Sequence, residues 1–271
     1  MRYRRPVLIL IPPSEGKAAP EHGTRLRPTE LSFPELNPNR TMVISALTRL
    51  CRDHPLEAVG ILGLGPKQRL DILRNADLPK MPAAPAIEVY TGVLFEALGA
   101  PTLSSRERTR LNRMVVIASG LFGLLRPDDR IPAYRLSGGA TLPSIGPLTG
   151  VWRESVSMTI AGISGVILDL RSSEYVNLGP IPASAAPRSL SCRVLLEKGG
   201  KRSVVSHHNK STKGRLVRSL ITSGANPRSV NACVAALTDL GFRCELRESR
   251  RPDRPTTLDV IVREHELILA Q

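Results

Sequence analysis

Three short apolar runs constrain this chain more than any other feature: residues 7–11 (VLILI), 114–118 (MVVIA) and 165–169 (GVILD). Each is strand-sized and apolar at nearly every position, which suits a strand covered on both faces. Helical stretches separate them, which predicts an α/β (α+β) chain, one domain over residues 1–271, built around a mixed sheet. Each run also stops at polar residues: Ser14-Glu15-Gly16-Lys17, the segment from Ser119, and Asp169 to Tyr175. Sites in open α/β sheets form at the carboxyl ends of strands, so these three clusters are expected to converge.

Helices are predicted over residues 42–51, 66–74, 92–98, 108–112, 151–161 and 212–222. Ser104 or Ser105 with Glu107 supplies a start for the fourth. Residues 191–197 and 202–206 flank Lys198-Gly199-Gly200-Lys201, a hairpin signal. Asn226 is expected to cap a later helix, with Pro227 in its first turn and Gly241 at its end. Residues 242–246 and 257–262 complete the strands, and the chain from the break at Pro12 to Arg40 reads as an exposed loop.

Lys and Arg number 38 against 24 Asp and Glu, a net charge of +14. That sign attracts polyanions and makes nucleic acid the leading partner class, although Arg-rich chains are also basic without a partner. No apolar run approaches the roughly 18 residues of a membrane span, so no membrane is expected. The apolar stretch after the basic amino terminus is too short for a signal sequence. Cys51, Cys192, Cys233 and Cys244 form no C-x-x-C pair, which favours reduced thiols in the cytoplasm. Neither a metal nor another cofactor is indicated, and the phosphate-loop pattern G-x-x-x-x-G-K-[S/T] is absent.

Ser14, Glu15 and Lys17 offer a hydroxyl, a carboxylate and an amine, or else a solvated turn. Gly120 and Gly123 would let main-chain amides approach an anion. Arg126 and Arg135 are planar forks for phosphate or carboxylate, and Tyr134 can stack or donate. A salt-bridged turn is the competing reading there, with Leu121, Phe122, Leu124 and Leu125 in the core. Glu174 is a general base or a clamp for Arg126, Arg135 or Lys17, with a buried ion pair as the alternative. Lys210, Lys213 and, roughly, Arg218 share one side of a helix that Ser211 and Thr212 would cap, giving a phosphate-binding element or a solvated basic face. His207-His208 lacks a third ligand, Trp152 reads as core, and no G-x-S-x-G elbow supports a hydrolase triad.

In order, LILIPPSEGK (8–17), VYTGVLFE (89–96), SGLFGLLRPDDRIPAYRL (119–136), Trp152, VILDLRSSEY (166–175) and SHHNKSTKGRLVR (206–218) resemble the YaaA family of peroxide-stress proteins. The resemblance implies a cantaloupe-type α/β fold, a cytoplasmic location and protection from peroxide by limiting the free iron that oxidises DNA. It also implies DNA binding with a helix-hairpin-helix-like element, which falls at residues 62–69 (LGLGPKQR). Two departures stand out. Residues 137–150 are rich in Gly, Pro and Ser where a more acidic continuation is common, and the second histidine of His207-His208 stands where an aromatic residue is usual. The first puts one wall of the pocket in question, and the Arg-heavy carboxy-terminal region fits a specialised paralogue.

Two functional expectations follow. In the first, Lys67, Arg69, Lys210, Lys213, Arg215 and Arg218 neutralise DNA backbone phosphates without reading sequence. In the second, the chain is an enzyme for a nucleotide-like or other anionic small molecule. Lys17, Glu174 and Tyr134 then handle the proton. Ser14, Glu15, Tyr90, Thr91, Ser119, Gly120, Arg126, Arg135, Ser172, Asn209, Lys210 and Lys213 hold the anion.

Overall fold

A computed structural model describes residues 7–65, 68–204, 206–249 and 251–263, with the backbone alone for residues 206–208. The strands are β1 (Leu8–Ile11), β2 (Ala84–Pro85), β3 (Val115–Ser119), β4 (Gly123–Leu125), β5 (Arg130–Ile131), β6 (Thr141–Leu142), β7 (Gly146–Pro147), β8 (Ile167–Asp169), β9 (Ser189–Lys198), β10 (Lys201–Ser203), β11 (Arg243–Arg247) and β12 (Thr256–Arg263). The helices are α1 (Asn37–Asp53), α2 (Pro55–Ile61), α3 (Arg69–Ala76), α4 (Ala86–Val89), α5 (Val93–Leu98), α6 (Ser105–Met114), α7 (Leu148–Gly162), α8 (Ser173–Asn177), α9 (Ser206–Ser223) and α10 (Val230–Asp239).

One mixed sheet organises the chain in the order β11-β12-β9-β8-β1-β3-β4, with β10 beside β9. The inner strands β12, β9, β8, β1 and β3 run parallel, and β11 and β4 close the edges antiparallel. The three apolar runs are therefore neighbours: Ile9 of β1 lies opposite Val115 of β3 on one side and Leu168 of β8 on the other. All three strands are buried at every position, which is why their sequences show no alternation. The edge side differs. On β9, β10 and β11, Arg202 pairs with Glu197 and Glu245, and Arg243 with Glu197, a charged ladder that discourages pairing with another chain.

The Ser104–Glu107 capping box forms as expected. Other boundaries move. Residues 12–40 are not a continuous exposed loop: Leu31, Leu36 and Arg40 are buried, and α1 begins at Asn37 with a proline in its first turn. Arg40 is held by the carbonyls of Ser32, Phe122 and Leu124. The cap of α10 is Ser229, whose Oγ accepts the Ala232 N–H, while Asn226 accepts the N–H of Val7 and ties the carboxy-terminal half to β1. Helix α9 starts at Ser206, so Ser211 and Thr212 lie inside it rather than capping it.

Candidate active site at the strand carboxyl ends

The chain leaves β1 through Pro12-Pro13, which cannot donate to a further ladder. Residues 14–17 then run beside residues 90–92. Lys17 bridges Tyr90, and the Thr91 N–H donates to the Gly16 carbonyl at 3.1 Å. The approach is close: a Cβ on Gly16 would stand 2.8 Å from Thr91 Oγ1, and Gly92 (φ 96°) leaves only 3.1 Å to Ser14 Oγ. Gly214 does the same for the helices. A Cβ there would collide with the Leu94 carbonyl oxygen and sit 2.8 Å from Ala97 Cβ, so α9 crosses α5 at backbone distance.

These contacts enclose a cavity of about 450 Å³. Its walls are Pro12 to Glu15 from the end of β1, Gly92 to Phe95 at the start of α5, Ser172, Glu174 and Tyr175 after β8, and Asn209, Lys210 and Lys213 from α9. Two of the expected strand-end clusters thus meet, joined by the basic helix.

Lys17 lies beside the cavity rather than in its wall. Its amine donates to the carbonyls of Ser14 (2.8 Å) and Glu15 (3.4 Å) and sits 4.3 Å from the centre of the Tyr134 ring. Burial, helped by the nearby Arg135 charge, lowers its pKa to about 7, against the upward pull of Glu15 and Asp71. Lys213 is buried in the wall, and desolvation lowers its pKa as well, opposed by Cys192 and Asp169. Asn209 Oδ1 is buried there with no hydrogen-bond partner among the described residues.

Behind Lys17 runs a directed hydroxyl chain. Ser119 Oγ accepts the N–H groups of Leu121 and Phe122, so its proton is left for Tyr134 Oη at 2.7 Å, and Tyr134 in turn donates to Tyr90 Oη at 2.8 Å. Burial raises the pKa of both tyrosines, which keeps them protonated. Tyr134 and Ser119 therefore support Lys17 and do not reach the cavity.

Several expected roles are corrected by position. The amides following Ser119 are spent on its own hydroxyl, and Gly120 is packed under the carbonyls of Leu136 and Ser137, so this turn presents nothing to an anion. Arg126 is carried back along β4 to the amino end of β3, where it donates to the carbonyls of Arg113 and Val115. Arg135 pairs with Glu15 at 2.8 Å, its side chain 16% exposed against 71% for the carboxylate. Glu174 accepts the Gly139 N–H at 2.7 Å instead of clamping a cation. Packing beside that bond accounts for one glycine of the departure after Leu136: a Cβ on Gly138 would press on Tyr175 and Leu178.

The basic helix divides its cations. Lys210 and Lys213 face the cavity, whereas Arg218 donates to the carbonyls of Leu98 and Gly99 and Arg215 to Thr212 Oγ1. The four do not form one exposed stripe. Arg69 is exposed at the start of α3, and Lys67 lies outside the described residues. Sequence reasoning missed Asn75, a buried α3 residue whose amide exchanges two hydrogen bonds with the Arg135 main chain (2.8 and 3.0 Å). It also missed Gly214, although a glycine inside a helix, costing about 1 kcal/mol against alanine, was a readable sign of close packing.

Fold and cavity together define an α/β protein with a lysine-lined recess at the carboxyl ends of its parallel strands. Residues 7–245 match the family model described as peroxide stress protein YaaA, and the chain belongs to that family. It is 40% identical over 260 residues to a UPF0246 protein of Streptomyces coelicolor, covering 95% of this chain and 99% of the relative. A UPF0246 protein of Corynebacterium efficiens is 39% identical over 249 residues (90% and 97% covered), and one of Corynebacterium glutamicum 34% over 260 (94% and 100%). Among the described residues no helix is long and apolar enough to cross a membrane.

Proposed function

We propose that this chain serves peroxide-stress protection in the cytoplasm by binding and transforming an anionic small molecule in the strand-end cavity. Lys17 exchanges the proton in this reading, and Lys210 and Lys213 attract the anion. The observation that carries it is Lys213, buried in the wall of the recess with no ion pair among the described residues, beside the Asn209 oxygen that lacks a partner there and with the desolvated Lys17 amine next to the cavity. An uncompensated buried amine costs stability, so a ligand supplying negative charge and a hydrogen-bond donor offsets what the protein alone leaves unmet.

The thiols are also unsuited to the chemistry. Burial raises the pKa of Cys51 to about 11, of Cys192 and Cys233 to about 12, and of Cys244 in the same direction, so none offers a thiolate for direct reduction of peroxide. Among the described residues no three His, Cys, Asp or Glu side chains gather to hold a metal ion.

Thermal-shift screening of nucleotides and phosphorylated metabolites tests the reading. At least one anion is expected to stabilise the wild type and to lose most of its effect in Lys213→Gln and Glu174→Gln; a panel that stabilises nothing removes the proposal. With a substrate in hand, the rate should show a limb near pH 7, rising as Lys17 loses its proton, and Lys17→Met should abolish that limb.

Binding to the DNA backbone is a second reading, favoured by the net charge of +14 and by exposed Arg69 and Lys210. It requires duplex affinity to fall by orders of magnitude between about 50 and 200 mM salt, and a flat response excludes it.

A further inference from the structure

At the other end of the sheet a second cavity, of about 410 Å³, opens between α6 and the turn after α9. Two wall residues fix its place. Asn226 accepts the N–H of Val7, which leads into β1, and Met114 immediately precedes β3, so this cavity lies at the amino ends of the inner strands. Arg106, Arg110 and Arg113 stand at i, i+4 and i+7 of α6, one face of the helix, and all three line the cavity without a carboxylate among the lining residues.

Among the described residues the three guanidinium groups form no ion pair or hydrogen bond, and the buried Nε of Arg110 has no partner there. Gly224, with φ 73°, brings the turn directly onto Arg110: a Cβ there would stand 2.7 Å from Arg110 Nη1. Glu107 feels the Arg110 charge, but its carboxylate is committed to the capping box, accepting from Ser104 N and Oγ at 2.8 and 2.7 Å. Three gathered cations with the single Glu107 carboxylate as the nearby counter-charge keep a net positive charge and repel one another. An anion from solution removes that cost.

We infer that this cavity is a second anion site, separate from the strand-end recess, and that it takes a phosphate group. Planar forks approaching from one helix face match phosphate oxygens bidentately, which an array of lysines would not do. The volume admits a small phosphorylated ligand, while the exposure of Arg106 and Arg113 also admits a phosphate carried on a nucleic-acid backbone. The recognition chemistry is the same in both cases.

Calorimetric titration of the full-length protein with inorganic phosphate and pyrophosphate, against sodium chloride at equal ionic strength, tests the inference. Saturable binding is expected in the wild type and in Lys213→Gln, which disables the other recess. Arg110→Gln should weaken it at least about tenfold, the worth of one charge-assisted hydrogen bond. The double variant Arg106→Gln/Arg113→Gln, changed at exposed positions, should do likewise and stands in if Arg110→Gln folds poorly. Absence of saturable binding in the wild type, or equal affinity in wild type and arginine variants, overturns the inference. Adding a short DNA duplex distinguishes the sources: competition with phosphate assigns the site to a nucleic-acid backbone, and independence assigns it to a free phosphorylated molecule. Both of those results support the site.

Discussion

Asp169→Ala should lower the stability of the fold by about 3–5 kcal/mol, read as a fall in the urea midpoint at unchanged slope. Asp169 ends β8 and grips Arg171 through two bonds, Nε to Oδ1 at 2.8 Å and Nη2 to Oδ2 at 2.7 Å, with the Arg171 side chain 0% exposed. Removing the carboxylate leaves a guanidinium buried with only the carbonyls of Tyr175 and Gly179. That uncompensated charge, more than any lost attraction, sets the size of the effect. The double variant Asp169→Leu/Arg171→Met should therefore be less damaging than the single one. If the single variant melts like wild type, the pair is not desolvated as described. Because Arg171 also holds the turn that presents Glu174 and Tyr175, the single variant should lose ligand-induced stabilisation together with stability.

The same residues show where sequence reading reached and where it stopped. The runs at β1, β3 and β8 were legible because strands covered on both faces must be apolar throughout, and that signal survives without any knowledge of neighbours. Placing sites at their carboxyl ends brought Ser14, Glu15, Ser172 and Glu174 to one cavity, since chain direction alone decides which end a strand exits. Arg126 failed for a topological reason. A return strand of three residues, β4, is too short to show a period, yet it carries the chain back to the far end of the sheet. The Gly120–Gly123 segment failed for a different one: a glycine that opens a backbone to a ligand and a glycine that lets one chain pack on another look alike in sequence. Here Gly123 (φ 72°) faces the Trp152 ring, 2.8 Å from where a Cβ would stand. The early start of α9 was hidden because Ser206 to Asn209 is polar throughout and offers no apolar stripe.

Gly214→Ala should reverse the usual sign of a glycine-to-alanine change in a helix. On an exposed helix face alanine gains about 1 kcal/mol. At position 214 the added methyl meets the Leu94 carbonyl oxygen and the Ala97 Cβ, and a backbone carbonyl inside α5 cannot rotate away as a flexible side chain would. The two helices must separate, and a loss of about 3 kcal/mol or more is expected, at the upper end for overpacking. The functional consequence is more specific than the loss of stability. Lys210 and Lys213 ride on α9, and Val93 to Phe95 form the facing wall on α5, so separation pulls the amines from the opposite side of the recess. Anions whose stabilisation of the wild type depends on Lys213 should fail to stabilise this variant, while phosphate binding at the α6 arginines persists. A Gly214→Ala protein that melts above wild type and keeps its anion response would show that the helices do not cross at backbone distance, and the geometry assigned to the recess would fall with that contact.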